Sequence, residues 1–157
     1  MQVRPLLGLL ATAAALIGTL ATTAAATPTA CKPTFGDTPG PFSLNPLDAP
    51  RRAKIGSGHL LFGRVVGAPD CKPVAGALVI FWQAGRNGYG PRGRGSLLTD
   101  RLGRFRIEGP VPASEDGRPP HIHIAVLHPA YEELFTRYVV RRGATSGQIR
   151  LVLTPVL

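Results

Sequence analysis

Thr99-Asp100-Arg101-Leu102-Gly103-Arg104-Phe105-Arg106-Ile107-Glu108 is the stretch that decides the fold class. Its first half is built of turn formers. Its second half alternates, so that Phe105 and Ile107 face one side of an extended chain and Arg104 and Arg106 the other. This is a half-buried strand leaving a tight turn, and the turn is expected to close a hairpin with a strand before it. Working outward, runs of the same texture recur at His59 to Val66, Ala77 to Trp82, Ser96 to Thr99, His121 to Leu127, Thr136 to Val140 and Gln148 to Thr154. Short β-rich runs at that spacing, separated by turn residues, predict an all-β chain: one β-sandwich of about seven to eight strands. The one helical hint is Ala130 to Phe135, and there is no internal repeat or heptad.

Composition agrees with that reading. The chain has 157 residues, enough for one domain, and its 19 Gly and 16 Pro suit turns and short strands rather than helical bundles. Residues 1–26 start with Arg4, run apolar from Leu6 to Leu20 and end in small residues, as an export leader does. Gly8, Thr12, Gly18 and Thr19 interrupt the run and no basic stop-transfer cluster follows, so no membrane insertion is expected once the leader is removed. Residues 27–57 form a Pro/Gly-rich arm, and the sandwich domain is expected over 58–157. In an oxidising compartment Cys31 and Cys71 would pair and tie the arm to the domain; lipidation of Cys31 is the alternative, against which Pro28, Thr29 and Ala30 lack a large aliphatic residue. Without Arg4 the net charge is +8, with clusters at Arg86, Arg92 and Arg94 and at Arg141 and Arg142. No nucleic-acid motif accompanies it, so it reads as a solvated basic face able to attract carboxylated aromatic substrates.

The chemistry is concentrated in Arg118-Pro119-Pro120-His121-Ile122-His123-Ile124-Ala125-Val126. Residues two apart on a strand share a face, so His121 and His123 project together while Ile122, Ile124 and Val126 enter the core. Two imidazoles on one face can share a metal. A bare His-x-His is also simply a pair of polar residues on a solvated face, and His59 and His128 have no assigned role.

Read together, Gly63 to Val66, Pro73 to Ala77, Phe81-Trp82-Gln83-Ala84, Gly88-Tyr89, Arg94-Gly95, Thr99-Asp100, Gly103, Phe105 and Arg118 to His123 resemble the intradiol ring-cleavage dioxygenases over about residues 58–140. Cys31-Lys32-Pro33-Thr34, Thr38 to Phe42 and Cys71 resemble the arm of that family's exported members. The resemblance implies a β-sandwich core and insertion of both atoms of O2 between the hydroxyl-bearing carbons of a catechol at non-haem Fe(III). Its iron ligands are two Tyr and two His. By position His121 and His123 match the histidines and Tyr89 the first tyrosinate, one residue closer to Trp82 than is usual. Glu115 stands where the second tyrosinate is expected, six residues before His121. Arg118 matches the family's active-site arginine, whose cation can stabilise charge on the ring, and Arg137 replaces the family's glutamine. Tyr131 and Tyr138 fall in the wrong places to substitute for the missing Tyr, and Trp82 reads as core packing.

Hard anionic oxygen donors favour Fe(III), but two His and a carboxylate also suit a facial-triad Fe(II) site or another divalent metal. The expected partners are a small aromatic diol and O2, with no nucleic acid. The competing reading is a non-catalytic module of the carboxypeptidase-regulatory-like or transthyretin-like kind, in which Gly63 to Ala77 and Thr99 to Ile107 would also occur. Tyr89, Arg118 and the His pair separate the two.

Overall fold

The computed structural model describes residues 30–40 and 48–157; the leader expected over 1–26 lies outside them. Eight strands follow one another: β1 (His59–Gly67), β2 (Lys72–Pro73), β3 (Leu78–Trp82), β4 (Arg94–Leu98), β5 (Arg104–Gly109), β6 (His121–His128), β7 (Tyr131–Val139) and β8 (Ser146–Leu153). They form two sheets. In one, β1 is flanked by antiparallel β5 and β2 on one side and by parallel β8 on the other. The second has the order β4-β3-β6-β7, antiparallel throughout.

The alternating residues fill the space between the sheets. Leu61 and Val65 of β1, Val79 and Phe81 of β3, Phe105 and Ile107 of β5, Ile122, Ile124 and Val126 of β6, and Leu151 and Leu153 of β8 make one buried cluster. Each such side chain contributes on the order of 1.5–3 kcal/mol by leaving water. Gly63 lies directly opposite Phe105, and a Cβ there would overlap its ring, so the glycine makes room for the aromatic side chain.

Two sequence expectations are corrected, and one short strand was missed. Ala130 to Phe135 is not helical: Tyr131 to Phe135 is the first part of β7, and its pairing with β6 overrides local propensity. The short β2 was not foreseen. Thr99 to Gly103 is not a hairpin loop, because β4 and β5 belong to different sheets. It is the corner between layers. There the buried Thr99 Oγ1 donates to Val74 O (2.7 Å) and accepts from Ala77 N (2.9 Å), and Asp100 Oδ1 accepts from Leu102 N and Arg104 N.

The arm closes both flanks of the sandwich. Cys31 N donates to Pro69 O, and Thr34 exchanges two hydrogen bonds with Val152 of β8. Asp37 N then donates to Phe135 O of β7 (2.7 Å). On the opposite flank Ser96 N of β4 donates to Pro50 O, and Ile55 and Ala53 bond Glu108 of β5. Edge groups that would otherwise face water are thereby paired. Cys31 and Cys71 form the expected disulfide, with Cα atoms 5.4 Å apart and a separation of 40 positions in sequence. Closing a loop of that length restricts the unfolded chain, so the Cys31→Ser, Cys71→Ser double variant is expected to lose about 2–4 kcal/mol. Urea denaturation measures that loss, and hydrogen exchange over residues 31–37 should accelerate with it.

Candidate active site

His121 and His123 lie on the outer face of β6, the face opposite Ile122 and Ile124, and both are buried. His121 Nδ1–H donates to Pro119 O (2.8 Å). That bond leaves the lone pair on Nε2, which points towards His123 Nε2 at 3.1 Å.

Tyr89 arrives from the loop after β3. Gly85 and Gly88 exchange backbone hydrogen bonds, and Gly88 has φ 78°, a left-handed turn that glycine adopts without strain. The loop sets Tyr89 Oη 2.9 Å from His123 Nε2 and 3.4 Å from His121 Nε2. Three donor atoms thus lie at the corners of a small triangle. Ligands about 2.1 Å from one ion at right angles stand roughly 3 Å apart, so the triangle fits one metal held by neighbouring ligands. Two neutral nitrogens and an ionisable hard oxygen suit iron in its ferric state. Among the described residues no group of three His, Cys, Asp or Glu side chains could hold a metal. Tyr89 is what completes the donor set.

Glu115 and Arg118 come from the loop before β6. Asp116 and Gly117 take left-handed φ values of 47° and 74°, and Glu115 and Arg118 pair across them in a two-residue turn of the type that Asp-Gly favours. Ala113 N donates to Ala84 O and ties this loop to the Tyr89 loop. Glu115 sits against the phenol. Burial, and then the hydrogen bond to the Glu115 carboxylate, hold the Tyr89 hydroxyl well above its ordinary pKa, while the Arg118 cation acts in the opposite sense. Without a cation to bind, Tyr89 is therefore a protonated phenol. The carboxylate beside it accepts the hydrogen bond of the phenol.

His123 is held from three sides. Across the sheet it is opposed by Trp82 of β3 and Arg137 of β7. The Trp82 ring stacks on the imidazole, with centroids 5.1 Å apart and planes 7° from parallel. Trp82 packs in a buried apolar cluster, as expected, and in addition its ring orients the His123 imidazole. The signal was the register itself, which a single sequence does not show. Arg137 forms an ion pair with Asp37 of the arm, and Gly40 passes over the imidazole so closely that a Cβ there would lie 2.7 Å from Nε2.

The other aromatic and imidazole groups lie elsewhere. Buried His59 on β1 bonds Ala144 O and stacks on Tyr138, and His128 packs edge-on against Tyr131.

Comparison with known proteins places these residues in context. No family model matches the chain. A curated relative, the 6-chlorohydroxyquinol 1,2-dioxygenase of Cupriavidus pinatubonensis (strain JMP 134 / LMG 1197), is 34% identical over 130 residues, covering 66% of this chain and 46% of the relative. The chain thus spans about half the length of the curated relative it matches. Among solved structures, the dioxygenase domain of a dioxygenase–carbohydrate-binding fusion from Streptomyces sp. SirexAA-E superposes with TM-score 0.67 at 25% identity, covering 80% of this chain and all of that one. Hydroxyquinol 1,2-dioxygenase from Pseudomonas putida DLL-E4 shares the fold, with TM-score 0.63, 20% identity, and 81% of this chain against 67% of that one. In sequence the chain is thus similar to a 6-chlorohydroxyquinol 1,2-dioxygenase, and in fold to solved ring-cleaving dioxygenases.

The buried site makes the metal-free protein sensitive to acid. Burial first, and then the neighbouring His121, Arg137 and Arg118, lower His123 from 6.5 to about 4. Between those values the unfolded chain binds a proton that the folded chain does not. Stability is therefore complete above about pH 6.5 and falls as pH drops towards 4. A loss on the order of 2 kcal/mol is expected in urea denaturation between pH 7 and pH 4.5. A His123→Gln variant that keeps the whole slope would assign it to other groups.

Proposed function

We propose that the protein is an intradiol-type dioxygenase that cleaves catechol-like aromatic diols with O2, at an Fe(III) ion held by Tyr89, His121 and His123. The observation that carries this reading is the donor triangle of one tyrosine oxygen and two imidazole nitrogens, all within 3.4 Å of one another. A non-catalytic sandwich module gives no reason for that convergence. The relatives are dioxygenases by name, which supports the same reading.

Fe(III) held by Tyr89, His121 and His123 would supply a Lewis acid for the reaction of an aromatic diol with O2. The protein's part is positioning and charge. His121, fixed by Pro119 O, presents its Nε2 lone pair, and the stacked Trp82 ring holds the His123 imidazole in orientation beside it. On binding iron, Tyr89 would lose its proton to solvent and become a phenolate donor, with the Glu115 carboxylate beside it. Glu115 is also the carboxylate at the sequence position of the family's second tyrosinate, and we propose it as the further anionic group of the site. Arg118, across the turn from Glu115, offers a cation to negative charge that develops on the ring. We further propose that the chain is exported behind the leader of residues 1–26, and that its basic surface draws in anionic aromatic substrates.

A visible spectrum with an oxygen electrode tests the proposal. Ferric protein should be coloured by phenolate charge transfer, Tyr89→Phe should bleach it, and added catechol should shift the band while O2 is consumed in step with ring-opened acid. His121→Ala or His123→Ala should weaken iron binding by more than about 100-fold. Arg118→Gln should keep the catechol-induced band but lower kcat by about 10²–10³. Iron-loaded protein that stays colourless with catechol would contradict the site. A coloured protein that binds catechol and takes up no O2 would contradict the activity alone.

A further inference from the structure

Arg137 poses a problem for a cation site. In the antiparallel pairing of β6 and β7 it stands directly opposite His123, on the same face of the sheet, where neighbouring Cβ atoms are about 5 Å apart. The fold thus places a permanent positive charge beside a residue proposed to bind a trivalent ion. Like charges at such distances in a partly buried site cost several-fold or more in affinity.

The arm carries the answer. Asp37 N donates to Phe135 O, which lies two residues from Arg137 on β7. Asp37 Oδ1 accepts from Thr38 N at 2.8 Å, and Oδ2 takes the Arg137 Nε–H. Three residues further on, Gly40 passes over the His123 ring with no room for a Cβ between them. The disulfide at Cys31 and the Thr34 bonds to Val152 anchor the other end of this segment. The arm from 31 to 40 is therefore a strap, with Asp37 fastened at the point where it reaches the site.

We infer that Asp37 and Arg137 are positioning residues of the metal centre: their ion pair cancels the guanidinium charge next to His123 and fastens the arm so that Gly40 covers the imidazole. The inference rests on the Fe(III) site proposed above. It assigns a role to an arm carboxylate far in sequence from the donors and to an arginine where the family has a glutamine.

The charge part of the role has its own signature in a double-mutant cycle. Fe(III) is delivered as its nitrilotriacetate complex to wild type, Asp37→Asn, Arg137→Gln and the double variant, with affinity read from the charge-transfer band under citrate competition. Circular dichroism confirms that each is folded. Asp37→Asn leaves the guanidinium uncompensated and should weaken Fe(III) binding by about tenfold, less in high salt. Arg137→Gln removes the cation and should bind Fe(III) at least as tightly as wild type. The double variant should return to within about threefold of wild type, because the harmful charge has gone with its partner. Asp37→Asn with wild-type affinity would overturn the inference, and so would a double variant as weak as Asp37→Asn, since affinity would then not follow the uncompensated charge. Wild-type protein that develops no band would instead overturn the iron site itself, and this inference with it.

Discussion

A rank of three directly opposed residues, Trp82 on β3, His123 on β6 and Arg137 on β7, is the constraint on which the rest of the site depends. Strand register alone brings an indole, an imidazole and a guanidinium side by side on one face. Because side chains alternate, a slip of one residue in β6 would bury His121 and His123 in the core and expose Ile122 and Ile124. The apolar cluster between the sheets forbids that slip. The energy that holds the sandwich together is therefore the same energy that fixes the histidines, and the site needs no separate scaffold of its own.

Two loops bring the remaining groups to this rank. Each turns on left-handed residues, Gly88 in one and Asp116 with Gly117 in the other, and each is closed by reciprocal backbone hydrogen bonds. The tight closure matters because Tyr89 must meet two imidazoles that the sheet already holds. Loops of this kind can change in sequence while the sheet does not, which is how a shared fold carries differing sites. Glu115, at the position where the resemblance expects a tyrosine, lies in such a turn rather than in a strand.

The fold class was legible from Phe105 and Ile107 alternating with Arg104 and Arg106, and the shared face of His121 and His123 followed from the same period. Tyr89, Glu115 and Arg118 were found through resemblance, not through periodicity, because loop residues carry no period. What stayed hidden was pairing between strands. Trp82 reads as core, which it is, but its place beside His123 is set by contacts remote in sequence, and Tyr131 to Phe135 looked helical because local propensity is blind to a partner strand. Thr99 to Gly103 has hairpin chemistry, yet its strands leave for different sheets. Asp37 gave no signal at all, since its meaning lies in Arg137, a hundred positions away.

The most direct test of the account is the anomalous difference map of a crystal of the iron-loaded protein, recorded at the iron edge. The account predicts one strong peak about 2.0–2.2 Å from each of Tyr89 Oη, His121 Nε2 and His123 Nε2. A peak outside that triangle, or iron-soaked crystals with none, would contradict it.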